Sequence, residues 1–188
     1  MPLKATAIVG LIAAGLLPFG VSQATASDPW VKLHRPLEIP KLAPGARCPV
    51  TSAKRVSPDF APAQGSGPVY PAGTGRGLEF NYPPTRDQLW YPTKWSGQKV
   101  IWIARESYAG PVLIRGRQVD GRNVLRFGRG SVPTRELRLL RSGTSIGTWK
   151  GRHWGTYTRL RAPGCYAWQV DGAGFSKVIV FRAVVVRP

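Results

Sequence analysis

The stretch CYAWQVDGAGFSKVIVFRAVVV, Cys165 to Val186, decides the fold. Two runs rich in β-branched and aromatic residues flank a DGAG turn at Asp171 to Gly174. In the second run Phe175, Ile179 and Phe181 alternate with Ser176 and Arg182, the period of a strand with one buried face. This is a β-hairpin.

Working outward, the same signals recur upstream. QKVIWIARE at Gln98 to Glu106 reads as a buried strand. GPVLIRGRQV and RNVLRFG flank Asp120-Gly121, a strong hairpin signal. LEFNY (Leu78 to Tyr82), ELRLL (Glu136 to Leu140) and GTYTRL (Gly155 to Leu160) are shorter candidates, with Arg141 to Arg152 as a looped region. Gly and Pro recur from Ser57 to Pro84 and exclude long helices, and TRDQLW at Thr85 to Trp90 offers at most one helical turn. Seven or eight short strands without helical period or internal repeat predict an all-β, antiparallel sandwich.

The amino-terminal MPLKATAIVGLIAAGLLPFGVSQATAS has the layout of a secretory signal. Lys4 supplies the positive region, Ala5 to Val21 is apolar, and Ala24-Thr25-Ala26 offers a small-x-small cleavage pattern. Cleavage after Ala26 leaves 162 residues, a secreted chain without a further apolar run of spanning length. A chain of that size forms one core. Its Pro-rich start, residues 27–47, reads as an extended linker, and 48–188 as the sandwich domain.

Cys48 and Cys165, an even pair in an exported chain, predict a disulfide. The 117-residue loop it would close contributes on the order of 4–5 kcal/mol in the chain-entropy model. The early CPVT, KVIWIARESYAGPVLIRGRQVDG and the terminal PGCYAWQVDG together resemble a group of secreted bacterial Ig-like proteins, over roughly Cys48 to Ala183. The resemblance implies an Ig-like sandwich and the Cys48–Cys165 bridge. It implies no activity.

The mature chain carries a formal charge of +17, with 19 Arg, 7 Lys, 5 Asp and 4 Glu. GC-rich coding explains Arg over Lys but not the scarcity of acids. The charge concentrates in VLIRGRQVDGRNVLRFGRG, Val112 to Gly130, which has five arginines and one acid, Asp120. Either a two-residue or a four-residue loop puts Arg115, Arg117 and Arg126 on one strand face and Ile114, Leu125 and Phe127 on the other. The arginines are expected to face water. With Arg122 at the turn, and Arg105, Arg138 and Arg141 on neighbouring strands, they form a candidate face for anionic envelope polymer or lipid. A solvated face in a uniformly basic chain is the competing account. Nucleic acid ranks lower, since export and the lack of a recognition helix argue against it.

LWYPTKW, Leu89 to Trp95, gives the alternative: Trp90, Tyr91 and Trp95 could stack on sugar rings, or cap the core. GTSIG, Gly143 to Gly147, matches a nucleophile-elbow pattern around Ser145, but no helix follows and His153 and Asp171 come in the wrong order. No catalytic residue is nominated. GSGPVYPAGTGRG lacks the Gly-Lys-Ser/Thr ending of a phosphate loop. His34 and His153 are isolated, which nominates no metal site, and no cofactor is implied.

Overall fold

The computed structural model describes residues 28–43, 45–140 and 144–186; the signal-like stretch 1–26, Arg141 and Gly143 lie outside them. Two sheets pack face to face. In spatial order the first holds β1 (Ala53–Lys54), β2 (Ala63–Gln64), β3 (Val69–Ala72), β5 (Ser96–Ala104), β10 (Trp149–Leu160) and β7 (Arg126–Phe127), with β9 (Thr144–Ile146) also on β10. The second holds β4 (Leu78–Phe80), β12 (Phe175–Val185), β11 (Gly164–Gly172), β6 (Val112–Gln118) and β8 (Leu137–Leu139).

The all-β sandwich read from the sequence is therefore present, with more strands than expected and one exception to the antiparallel rule. β4 lies parallel to β12, Leu78 opposite Ala183. Several of the extra strands are only two or three residues long. The terminal hairpin forms as read: Gly172 pairs with Phe175, leaving Ala173-Gly174 as its loop. β10 begins six residues earlier than GTYTRL, inside the expected loop.

Alternation builds the core. Trp102 of β5 meets Trp168 of β11 edge to face at 5.3 Å between centroids, and Trp168 stacks on Phe181 of β12 at 3.8 Å. Such ring pairs add about 0.5–1.5 kcal/mol beyond the area they bury. Cys48 and Cys165 are joined, as expected, and tie the segment before β1 to the start of β11. A disulfide of this kind is compatible with an extracytoplasmic protein.

The Pro-rich stretch expected to be a linker instead lies along the outer face of the second sheet. Trp30 and Leu33 pack on Leu113, and Ile39 packs with Val119, Ala167 and Val180. Prolines keep this strap out of the sheet ladder. Its carbonyls are met by side chains instead: Gln169 donates to Pro36 O at 2.9 Å and accepts from Glu38 N at 2.7 Å. β11 is consequently buried on both faces.

Candidate anion-binding site

Arg115 and Arg117 share the outer face of β6, as the alternation requires, but the strap covers them. Arg115 Nη2 donates to Arg35 O at 2.5 Å and to Asp171 Oδ2 at 2.9 Å; Arg117 Nη2 donates to Ile39 O at 2.6 Å. Asp171 is fully buried, and Arg35 approaches its other oxygen at 3.6 Å. The expectation that these two arginines face water is thus corrected. Their Nη2 groups bond strap carbonyls and one buried carboxylate.

Arg126 is not on their face at all. Arg117 pairs with Val124, the register of a two-residue Asp120-Gly121 loop. The last bond to β6 is Leu125 N to Gly116 O, and the chain then crosses to the other sheet, where Arg126 pairs with Arg159 of β10. Phe127 points into the core, so Arg126 points outward. Arg122 is exposed at the turn. Arg138 is committed to Glu136 at 2.6 Å and lies over Trp30, and Arg105 bonds Tyr70 Oη at 2.8 Å, so neither extends a patch.

On its own face Arg126 meets the aromatic loop. The Arg126 guanidinium lies 5.8 Å from the centroid of Trp95, and that of Arg161 lies 5.1 Å from the same ring. Two features separate in the sequence, an arginine of the hairpin and an aromatic of the 89–95 loop, here form one cluster. Burial, then the nearby charges of Arg135 and Arg161, push the Arg126 pKa below its ordinary value. None of Arg126, Arg135 and Arg161 has an ion-pair partner among the described residues. Arg135 and Arg161 are exposed, and exposed Lys94 and Arg129 adjoin the cluster in sequence.

Arg159 holds this corner together. Its side chain is fully buried, with its guanidinium 4.0 Å from the Trp90 ring centroid. It donates to the carbonyls of Gly128, Gly130 and Trp95 at 2.8–3.3 Å, bridging two loops. Trp90 Nε1 adds a bond to Arg129 O at 2.9 Å. Burial without a carboxylate pushes the Arg159 pKa down to about 10. The cation–π contact and three carbonyls offset part of that desolvation. Sequence reasoning missed Arg159, Arg161 and Arg135. Phase alone could have placed Arg159 on the outward face of its strand, but nothing local shows that loops cover it.

The same geometry corrects the sugar-stacking expectation for Trp90. Its ring is 7% exposed, faced by Arg159 and met edge-on by Tyr157. Trp95 is partly buried and carries two guanidiniums, and Tyr91 alone of the three stands exposed. The elbow residues do not assemble either. Ser145 is exposed on β9 and His153 lies on β10, whereas Asp171 is buried in the other sheet under Arg115. No group of His, Cys, Asp and Glu suited to a metal occurs among the described residues, and no helix there is long and apolar enough to cross a membrane.

Fold and site together define an all-β, disulfide-bonded sandwich with an uncompensated arginine–tryptophan corner. No family model matches the chain, and no curated protein matches it. A solved structure described as a "putative lipoprotein" from Bacillus anthracis is similar at 10% identity over 74% of this chain and 88% of that chain, with a TM-score of 0.46.

Proposed function

We propose that this protein is an exported, non-enzymatic binding domain that associates with anionic cell-envelope polymer through Arg126, Arg135 and Arg161 around Trp95. The observation that carries the reading is two guanidiniums on one indole ring, with no acid among the described residues paired to either. Like charges gathered this way repel, and nothing in the core requires them. A polyanion relieves that repulsion, and the planar guanidinium fork matches phosphate or carboxylate oxygens. Exposed Arg129, whose carbonyl accepts from Trp90 Nε1, flanks the site as a further contact.

The test is retention of the protein on purified cell envelopes while salt is raised. Arg126→Gln/Arg161→Gln should elute at clearly lower salt than wild type. By the counterion-release relation, losing two contacts flattens the log–log salt slope by about 1.5. Arg55→Gln, an exposed arginine beside β1 at the opposite edge of the same sheet, should elute with wild type. Identical elution of all three proteins would refute the reading and leave the charge as solvated surface.

A further inference from the structure

Beside the arginine corner, one end of the sandwich is open between its two sheets. A cleft of about 260 Å³ is bounded there by Phe80 and Val186 of the second sheet, Ser96 and Gly97 of the first, and the Gln88–Trp90 turn. Gly97 pairs with Arg159, which pairs with Arg126, so the cleft and the charged corner are two strand spacings apart, about 10 Å. They belong to one surface.

The lining has a definite chemistry. Glu79, Asn81 and Gln88 also reach the cleft. Among the described residues no hydrogen-bond partner meets the Glu79 carboxylate, the Asn81 amide or the Ser96 hydroxyl, which leaves all three free to meet water or a ligand. The Gln88 oxygen accepts from Thr85 N at 3.1 Å, which leaves its amide N–H groups to donate. The Ser96 hydroxyl keeps access to solvent in the wall of the cleft, so it can pair with water or with a ligand that displaces it. Leu89, Phe80 and Val186 supply an apolar side. A carboxylate acceptor, two amides and a hydroxyl beside an apolar wall suit a ring bearing several hydroxyls. They do not suit a bare phosphate, which Glu79 would repel. The volume lies just under the roughly 300–1,000 Å³ of sites for larger ligands, room for a single ring.

We infer that the polymer bound at the arginine corner is an anionic polysaccharide, one of whose sugar rings seats in the Glu79–Asn81–Gln88–Ser96 cleft while its acidic groups meet Arg126 and Arg161. This rests on the proposed anion-binding role of the corner. It makes the site bipartite: charge gives attachment, and the cleft separates sugar-bearing polyanions from plain ones.

The test compares polygalacturonate and hyaluronate with polyglutamate, which bears carboxylates without sugar, at one fixed salt concentration. Wild type should bind at least one polysaccharide roughly tenfold more tightly than polyglutamate, the worth of one or two hydrogen bonds. Asn81→Ala/Gln88→Ala should erase that preference and leave polyglutamate binding unchanged. Arg126→Gln/Arg161→Gln should weaken binding of every polymer. Absence of a preference in wild type, or its survival in the Asn81/Gln88 variant, overturns the sugar cleft and leaves the arginine reading standing. Unchanged binding by the arginine variant, or no binding of any polymer at low salt, overturns both.

Discussion

Replacing Asp171 by Asn tests how the strap is held. The carboxylate is fully buried, with Arg115 at 2.9 Å, Arg35 at 3.6 Å, and Gln169 Nε2 at 3.2 Å from each oxygen. Asn keeps the volume but removes the charge and turns one acceptor into a donor facing other donors. Breaking a buried pair by removing one partner costs about 3–5 kcal/mol, because the remaining charge is left without compensation. Arg115 keeps its bond to Arg35 O, which places the expectation near the lower end, about 3 kcal/mol. At roughly 2–4 °C per kcal/mol for a domain of this size, Tm should fall by about 6–12 °C. Calorimetry reads the Tm. Hydrogen exchange reads whether the amides of Glu38 and Leu42, bonded to Gln169 Oε1 and Val119 O, lose protection before the core does. In a double-mutant cycle with Arg115→Gln the two losses should fall short of additive, since each removes the same pair. A Tm within 2 °C of wild type, with strap protection unchanged, would refute the view that this ion cluster anchors the strap.

The Cys48–Cys165 bridge closes a 117-residue separation, so Cys48→Ala/Cys165→Ala should lower stability by about 4–5 kcal/mol, read as the urea midpoint; a midpoint unchanged would sink the entropic account. Partial burial works to raise the Glu136 carboxyl, but hydrogen bonds from Arg138 and His34 prevail and hold it below its ordinary 4.5. A depressed carboxyl stabilises the fold fully above pH 4.5 and progressively less as pH falls through its lower folded value. Glu136→Gln should therefore be less stable than wild type at pH 6 and approach it near pH 3, and a constant difference between the two would contradict this. Arg159→Met should strand the carbonyls of Gly128, Gly130 and Trp95, cost about 1–3 kcal/mol, and weaken polyanion retention without touching an exposed charge. A stable variant with wild-type salt elution would show that Arg159 does not organise the corner.

Strand phase was legible wherever one face of a strand is buried. The β11–β12 hairpin, the inward Ile114 and Phe127, and the disulfide all follow from local pattern and cysteine number. What the pattern could not carry was cover on the other face. Leu113 and Val119, apolar on the side assigned to water, were the trace of the strap, and CYAWQV carries apolar residues in both phases. The partner segment has neither strand nor helix period, because prolines interrupt it and its contacts run through carbonyl oxygens. Arg126 illustrates a second limit. Local pattern left two registers open, of which the structure has the one pairing Arg117 with Val124, and the switch of sheets after Leu125 depends on β10, more than twenty residues downstream.

The excess of arginine over acid has a structural component that the proline content explains. Each of the 18 prolines removes a main-chain N–H donor while keeping its carbonyl, and a chain with little helix leaves many carbonyls outside regular ladders. Guanidinium groups make up the missing donors. Arg35 reaches Gly172, Ala173 and Phe175; Arg115 and Arg117 reach the strap; Arg152 reaches Tyr108, Gly110 and Leu140; Arg159 reaches Gly128, Gly130 and Trp95. Carboxylates cannot do this, being acceptors themselves. A loop-rich fold stabilised in this way takes up arginine without matching acid and becomes basic as a result. That account covers these five residues; it does not cover Arg126, Arg135 and Arg161, nor exposed arginines such as Arg55 and Arg122. Arg126 reaches only the adjoining Leu125 carbonyl, at 3.5 Å, and Arg135 and Arg161 donate to no carbonyl among the described residues. Structural demand therefore leaves the charge around Trp95 unexplained, and what sets it apart from other exposed arginines is that two guanidiniums share one indole ring, the feature on which the proposed binding rests.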